Sequence, residues 1–86
     1  MKLKSNFVTR EVMGETLLMP VGDHLQKLNG IFTLNELGVF ILKRLPDAED
    51  EADIVDSILE EYEIDRQTAE NHVKKFLDKL RAIELI

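Results

Sequence analysis

The sequence changes character at Asn35, and this change limits the folds that the chain can adopt. Before Asn35, short apolar runs that contain Phe, Val, Thr and Leu are separated by glycine-containing turns, a pattern typical of β-strands. After Asn35, apolar residues recur every three or four positions, which is the period of an amphipathic α-helix. This order predicts an α+β fold in which the strands come first and the helices follow.

Three strands are expected before Asn35, at about residues 7–12, 16–21 and 31–34. The first two should form a hairpin, because Gly14 can adopt the turn conformation that other residues avoid. In the third strand, Phe32 and Leu34 share one face, since successive side chains of a strand alternate. We expect that face to point inward. Together these segments predict a three-stranded antiparallel sheet.

Three helices are expected after Asn35, at about residues 36–45, 51–62 and 66–82. Asn35 and Asp65 are good N-cap residues, and Pro46 should end the first helix. Gly38 costs roughly 1 kcal/mol relative to Ala inside a helix, which indicates that something packs close to the backbone there. Residues 84–86 should form a short extended or frayed tail. The last two helices form a helix-turn-helix with the strands as its wing, so the prediction is a winged helix.

The composition favours one small acidic domain over residues 1–86. With 17 acidic and 11 basic residues the formal charge is -6, so a nucleic acid would meet net repulsion. The absence of cysteine excludes disulfides and thiolate metal sites. The sequence contains no signal-peptide core and no run of membrane-spanning length, so the predicted location is cytoplasmic and no membrane partner is expected.

The residues that usually carry enzyme chemistry are few and scattered. The two histidines are His24 and His72, and Ser5 and Ser57 stand in no nucleophile motif such as G-x-S-x-G. The acidic run at residues 47–51 is interpreted as a solvated helix entry rather than a metal site, because no metal-binding loop signature is present. The four glycines form no phosphate-binding loop. The prediction is a protein without catalytic activity, metal or cofactor.

Three binding functions remain open from the residues alone. DNA binding by the last helix would use a basic set with acidic residues interleaved, a mixture that an exposed salt-bridged helix face explains equally well: Asn71, Lys74, Lys75, Lys79 and Arg81. Peptide binding requires an unpaired strand edge and a neighbouring helix flank, and leaves no sharp sequence signature. A general protein-interaction module is the third possibility.

Four segments together carry a family resemblance that covers nearly all of the chain. They are Phe7-Val8-Thr9-Arg10-Glu11-Val12, Glu15-Thr16-Leu17-Leu18-Met19-Pro20-Val21, the junction Phe32-Thr33-Leu34-Asn35-Glu36-Leu37-Gly38, and Glu61-Tyr62-Glu63-Ile64-Asp65 with Ala69, Val73 and Phe76-Leu77-Asp78-Lys79-Leu80. In these segments the sequence resembles the PqqD-like family, the peptide chaperones of pyrroloquinoline quinone biosynthesis and related recognition elements for ribosomally synthesised precursor peptides.

The resemblance implies a non-catalytic winged-helix domain that captures a precursor leader peptide and presents it to a modifying enzyme, often a radical S-adenosylmethionine maturase. In that family the leader adds as a strand to the third strand and lies against the last helix. Carried onto this chain, the strand contacts fall on Gly30, Ile31, Phe32, Thr33 and Leu34. On the helix we expect His72, Lys75 and Lys79, which could pair with leader carboxylates. Exposed edges also allow self-pairing, so a monomer or a homodimer is expected, and no nucleic-acid partner.

Overall fold

The computed structural model describes residues 1, 3–4, 6–21 and 32–86. Three strands precede three helices, with a short 3₁₀ helix after the first: β1 (Phe7–Val12), β2 (Glu15–Pro20), β3 (Phe32–Leu34), α1 (Glu36–Arg44), the 3₁₀ helix (Leu45–Asp47), α2 (Glu51–Glu61) and α3 (Arg66–Ala82). The strands form one antiparallel sheet in the order β1-β2-β3. The predicted α+β fold is confirmed, and the layout fits a winged helix.

The bounds of the elements differ from the predicted ones at a few positions. β2 starts and ends one residue earlier than expected, and α2 ends at Glu61 because Tyr62 has an extended backbone. α1 ends at Arg44, two residues before Pro46, and a 3₁₀ helix that begins at Leu45 and includes this proline follows directly. Proline is tolerated there because the first turn of a helix needs no N–H donor from it. Ile31, the expected first residue of the third strand, lies outside the described residues.

The core lies between the inner face of the sheet and the three helices. Leu18 and Leu34 are the buried residues of the sheet, and they pack with apolar side chains of the helices, among which Ile41, Leu45, Ile54, Ile58, Val73, Leu77 and Leu80 are buried. Leu34 is buried and Phe32 packs against this cluster, so the predicted inward face of β3 is confirmed. This core sets β3 and α3 side by side.

The C-terminal residues are not frayed, which corrects that part of the expectation. Leu85 is fully buried, and its N–H donates to the Leu80 carbonyl oxygen at 2.9 Å. Its own carbonyl accepts from the Lys4 N–H at 2.7 Å. Because this backbone bond joins Lys4 to Leu85, the segment after α3 is held in the core and α3 is anchored at its C-terminal end.

Candidate functional site

β3 lies at an edge of the sheet. It pairs with β2 through Leu18 and Phe32, Leu17 and Thr33, and Thr16 and Leu34. On its other side, no strand within the described ranges pairs with it. An unpaired edge presents backbone N–H and C=O groups to which an extended peptide can add.

The hairpin geometry shows which backbone groups of β3 face that open edge. Met13 and Gly14 have φ values of 53° and 83°, as a two-residue type I′ turn requires. Such a turn makes Val12 and Glu15 a hydrogen-bonded pair, and the N–H and C=O groups then alternate in direction along β2. The backbone N–H and C=O groups of Thr16 and Leu18 therefore point toward β3, where these residues pair with Leu34 and Phe32. Thr33, between these two, directs its N–H and C=O to the open edge.

Two neighbouring cavities follow α3, the first between β3 and α3 and the second between the start of α1 and α3, and together they form what we call the β3–α3 groove. The first has a volume of about 80 Å³ and is lined by five apolar residues, Leu18, Phe32, Leu34, Phe76 and Leu80, together with Thr33, Asn35 and Lys79. The second measures about 160 Å³ and is flanked by more polar side chains: Asn35, Leu37, Gly38, Ile41, His72, Lys75, Phe76 and Lys79. The two cavities share Asn35, Phe76 and Lys79, so they are neighbours along α3.

Local sequence explains how the groove acquires its shape. The Asn35 side chain caps α1, its Oδ1 accepting from the Gly38 N–H at 2.7 Å, and this turns the chain directly from β3 into α1. A Cβ on Gly38 would lie 3.2 Å from Phe76 Cε1 and 3.3 Å from Asn35 Oδ1. The close packing expected at Gly38 is thus confirmed, and the neighbour is Phe76 on α3. The glycine lets α1 approach α3 and leaves the Phe76 ring in the wall of both cavities.

Charged residues are distributed unequally on the two flanks of α3. We call the side that borders the β3–α3 groove, with His72, Lys75 and Lys79, the groove flank, and the side with Arg66 and Arg81 the outer flank. All three side chains of the groove flank are exposed. Within the described part of the chain, no carboxylate lies within ion-pair distance of Lys75 or Lys79. These two ammonium groups are available to a ligand.

The outer flank, by contrast, is engaged with carboxylates. Arg66 pairs with Asp56 of α2 at 2.8 Å, while Arg81 pairs with Asp78 and with Glu51 of α2, each at 3.2 Å. Since Arg81 was one of the residues considered for DNA, this pairing weakens that hypothesis, and Lys75 and Lys79 border the groove instead. The salt-bridged helix face proposed as the simpler explanation is present on this flank.

Among the described residues, the pKa is shifted for two groups, Asp65 and Arg66, which lie at the start of α3, away from the groove. The pKa of Asp65 is lowered, chiefly because the Thr68 hydroxyl donates to its carboxylate, with the Thr68 backbone N–H as a further donor. The pKa of Arg66 is raised by its hydrogen bond with Asp56. Both shifts follow from helix capping and surface pairing, so they indicate no acid–base chemistry.

The described residues hold no group of three or more His, Asp or Glu side chains placed to bind a metal ion. Among the helices in the described ranges, none is long and apolar enough to cross a membrane.

Six of the eight residues predicted for the site come together around the groove. Those that line it are Phe32, Thr33, Leu34, His72, Lys75 and Lys79. Gly30 and Ile31 lie outside the described residues. For all eight residues, a role in peptide binding remains a prediction.

Sequence reasoning did not assign seven further lining residues to the site: Leu18, Asn35, Leu37, Gly38, Ile41, Phe76 and Leu80. The helical spacing of Ala69, Val73, Phe76, Leu77, Leu80 and Ile83 predicts that these residues form the buried stripe of α3, whereas Phe76 is only partly buried and faces the groove. The signal that could have found it is its position at the edge of that stripe, next to His72 and Lys79 on the helix surface.

Comparison with known proteins gives a family and a fold. The sequence profile described as "Coenzyme PQQ synthesis protein D (PqqD)" matches residues 15–86. The structure of TbiB1 in complex with the TbiA(beta) leader peptide is 32% identical, covers 99% of this chain and 93% of that chain, and has a TM-score of 0.73. Lasso peptide synthetase B1 complexed with the leader peptide is 21% identical, with 98% and 93% coverage and a TM-score of 0.72, which shows the shared fold. No curated protein matches the chain.

Proposed function

The chain belongs to the PqqD family, and from this premise we propose that it is a non-catalytic domain that captures the leader of a ribosomally made precursor peptide. The leader adds as a strand to the open edge of β3, lies in the β3–α3 groove, and is presented there to a modifying enzyme. The reaction and its cofactor, such as those of a radical S-adenosylmethionine maturase, belong to that partner. The proposed location is the cytoplasm, where the precursor is synthesised.

One observation carries the proposal: the open edge of β3 and the apolar wall of α3 border the same cavity. Thr33 lines that cavity and directs its N–H and C=O to the edge, while Phe76 and Leu80 face it from α3. Backbone hydrogen bonds to an added strand give affinity for any extended peptide, and side-chain pockets beside it give selectivity. The two components of a strand-addition site are therefore adjacent.

The geometry also determines which side chains of a bound peptide enter the groove and which remain in solvent. Side chains of an added strand alternate between the two faces of the sheet. Those on the face of Phe32 and Leu34 enter the β3–α3 groove, and those on the face of Thr33 remain in solvent. A relative that is 32% identical, TbiB1, is complexed with a leader peptide, which supports a leader as the ligand of this chain.

Thr33→Pro tests strand addition directly. The substitution removes the N–H that faces the open edge, whereas Phe32 and Leu34 keep their bonds to β2, and proline is tolerated on edge strands. We expect the affinity for a leader peptide to fall by roughly tenfold, about 1.4 kcal/mol, the effect of losing one well-placed hydrogen bond. Calorimetric titration with the leader measures the affinity, and circular dichroism checks the fold.

Thr33→Val is the matched control, because it removes the hydroxyl but keeps the N–H and a β-branched side chain. This variant should bind the leader within about twofold of the unsubstituted chain, a difference expected of an exposed side chain. If Thr33→Pro binds as tightly as Thr33→Val while remaining folded, strand addition at β3 is wrong.

A further inference from the structure

We propose that the β3–α3 groove selects peptides in which an apolar residue and an acidic residue stand two positions apart. The inference rests on the proposed function, because it assigns a chemical class to the peptide that adds to β3. The apolar side chain occupies the first cavity of the groove. The carboxylate occupies the second cavity, between Lys75 and Lys79.

The first cavity is suited to an aliphatic or small aromatic side chain. Its walls are formed by Phe32 and Leu34 from β3 and by Phe76 and Leu80 from α3. Its volume of about 80 Å³ exceeds the roughly 10–15 Å³ that a single water molecule needs on the same measure. Filling it with an apolar group removes apolar surface from water on both partners, which is the dominant favourable term in association.

The second cavity is suited to a carboxylate. Lys75 and Lys79 stand four residues apart on one helix face, so their side chains converge, and His72 lies one turn before Lys75. Neither lysine has an ion-pair partner in the described part of the chain. A carboxylate placed between them accepts charge-assisted hydrogen bonds, which are stronger than neutral ones.

The two cavities are displaced along α3 by about one helical turn, since Leu80 lines only the first and Lys75 only the second. Four residues of an α-helix advance about 6 Å, and two residues of a β-strand advance about 6.6 Å. A strand that runs along α3 therefore brings residues i and i+2 into successive cavities, which share Phe76 and Lys79. The same alternation directs the residue between them to solvent. This spacing sets the apolar-x-acidic pattern, in either chain direction.

The net charge of the protein does not oppose this selection at contact. The formal charge of -6 repels an acidic peptide at long range. Exposed charges more than about 8 Å apart are largely screened at physiological ionic strength, however, so the nearest groups decide the interaction of a bound carboxylate. In the groove these are the two lysines, since Arg66 and Arg81 are paired with carboxylates on the outer flank.

The experiment is a selection of short random peptides, displayed on phage, against three forms of the folded chain. These are the unsubstituted chain, the double variant Lys75→Glu/Lys79→Glu, and the control Lys74→Glu. Lys74 is exposed on the same helix, lacks an ion-pair partner among the described residues, and does not line the groove. The three exposed substitutions leave the core untouched, and circular dichroism verifies folding.

The expected result is that the unsubstituted chain and Lys74→Glu both enrich Asp or Glu two positions from an apolar residue. The double variant should enrich Lys or Arg at that position instead. For a selected synthetic peptide, replacing its acidic residue with the matching amide should weaken binding roughly two- to fivefold, as for an exposed ion pair. Replacing it with Lys should restore binding to the double variant.

Two other results would be distinguishable. Peptides that perturb the Thr33 amide in NMR spectra but show no preference for acidic residues would overturn the charge selection and leave strand addition standing. Selected peptides that perturb no amide of Phe32, Thr33 or Leu34 would overturn the proposed function itself, and the selectivity inferred from it.

Discussion

The two flanks of α3 differ less in the charges they carry than in how those charges are held. On the outer flank, Arg66 and Arg81 make ion pairs with Asp56 and Glu51 of α2. On the groove flank, Lys75 and Lys79 have no carboxylate within ion-pair distance among the described residues. One helix thus presents neutralised cations to its neighbour in the fold and free cations to the groove.

This difference shows that the function of a charged helix depends on the residues of other elements that pack beside it. Exposed ion pairs contribute only about 0–1 kcal/mol each to stability, so the outer flank adds little to the fold beyond the buried stripe. Its pairs do remove positive potential from that side of α3. Of the three lysines of α3, Lys75 and Lys79 border the β3–α3 groove, where a ligand can use their charge, whereas Lys74 does not line it.

The largest effect is expected from Phe76→Ala, which removes the wall shared by both cavities. Phe76 is partly buried, so the free energy of unfolding should fall by about 1–3 kcal/mol, less than the 3–5 kcal/mol typical of a buried aromatic. The affinity for a leader peptide should fall by roughly tenfold or more, because the apolar contact is lost. Urea denaturation and calorimetric titration measure the two quantities.

Phe76→Leu is the matched control for this substitution. Leucine keeps an apolar side chain in the groove, and volume changes of this kind in partly buried positions cost about 1.5 kcal/mol or less. It should retain most of the affinity that Phe76→Ala loses. An unchanged affinity in Phe76→Ala would mean that the ligand does not occupy the groove, and the two flanks would then be functionally alike.

Much of the fold could be predicted because its signals are local. The N-cap of α3 is an example: Asp65 accepts from the Thr68 backbone N–H, the interaction that makes aspartate a good N-cap, and the predicted bounds of this helix agree with the structure. Gly38 likewise revealed a close approach, since an interior helix glycine requires one. The direction of the chain at Asn35 follows from the same capping chemistry.

The groove could be predicted only in part, because its shape depends on long-range packing. Helical periodicity places Phe76 on the apolar side of α3 but cannot distinguish the centre of that side from its edge. Gly38 indicated that some group packs close to the helix, but the sequence did not show that this group is Phe76. Likewise, the burial of Leu85 depends on its backbone bond to Lys4, at the opposite end of the sequence. No local pattern reports such contacts.

A smaller effect is expected from Arg81→Ala on the outer flank. Losing the pairs with Glu51 and Asp78 should lower the free energy of unfolding by about 1 kcal/mol or less, and high salt should shrink the difference because exposed pairs are screened. Leader affinity should change by less than about twofold, since Arg81 does not line the groove. Urea denaturation at low and high salt, with calorimetric titration, measures these effects. A severalfold loss of affinity would break the distinction between the flanks.

The smallest effect concerns Asp65, which caps α3 beyond the end of the groove. Its pKa is lowered from the ordinary value of 3.8, chiefly by the hydrogen bond from the Thr68 hydroxyl. The ionised carboxylate therefore stabilises the fold above about pH 4, and this contribution is lost as the pH falls through the lower folded-state pKa. Asp65→Asn keeps an acceptor for the cap but does not titrate.

The free energy of unfolding should thus differ between the unsubstituted chain and Asp65→Asn more at about pH 7 than at about pH 3, as measured by urea denaturation. A difference that stays constant with pH would show that the cap does not favour the ionised carboxylate. At neutral pH the two forms should bind a leader peptide equally, because Asp65 lines neither cavity of the groove. An affinity that depended on Asp65 would extend the ligand site to the start of α3, where the two flanks meet.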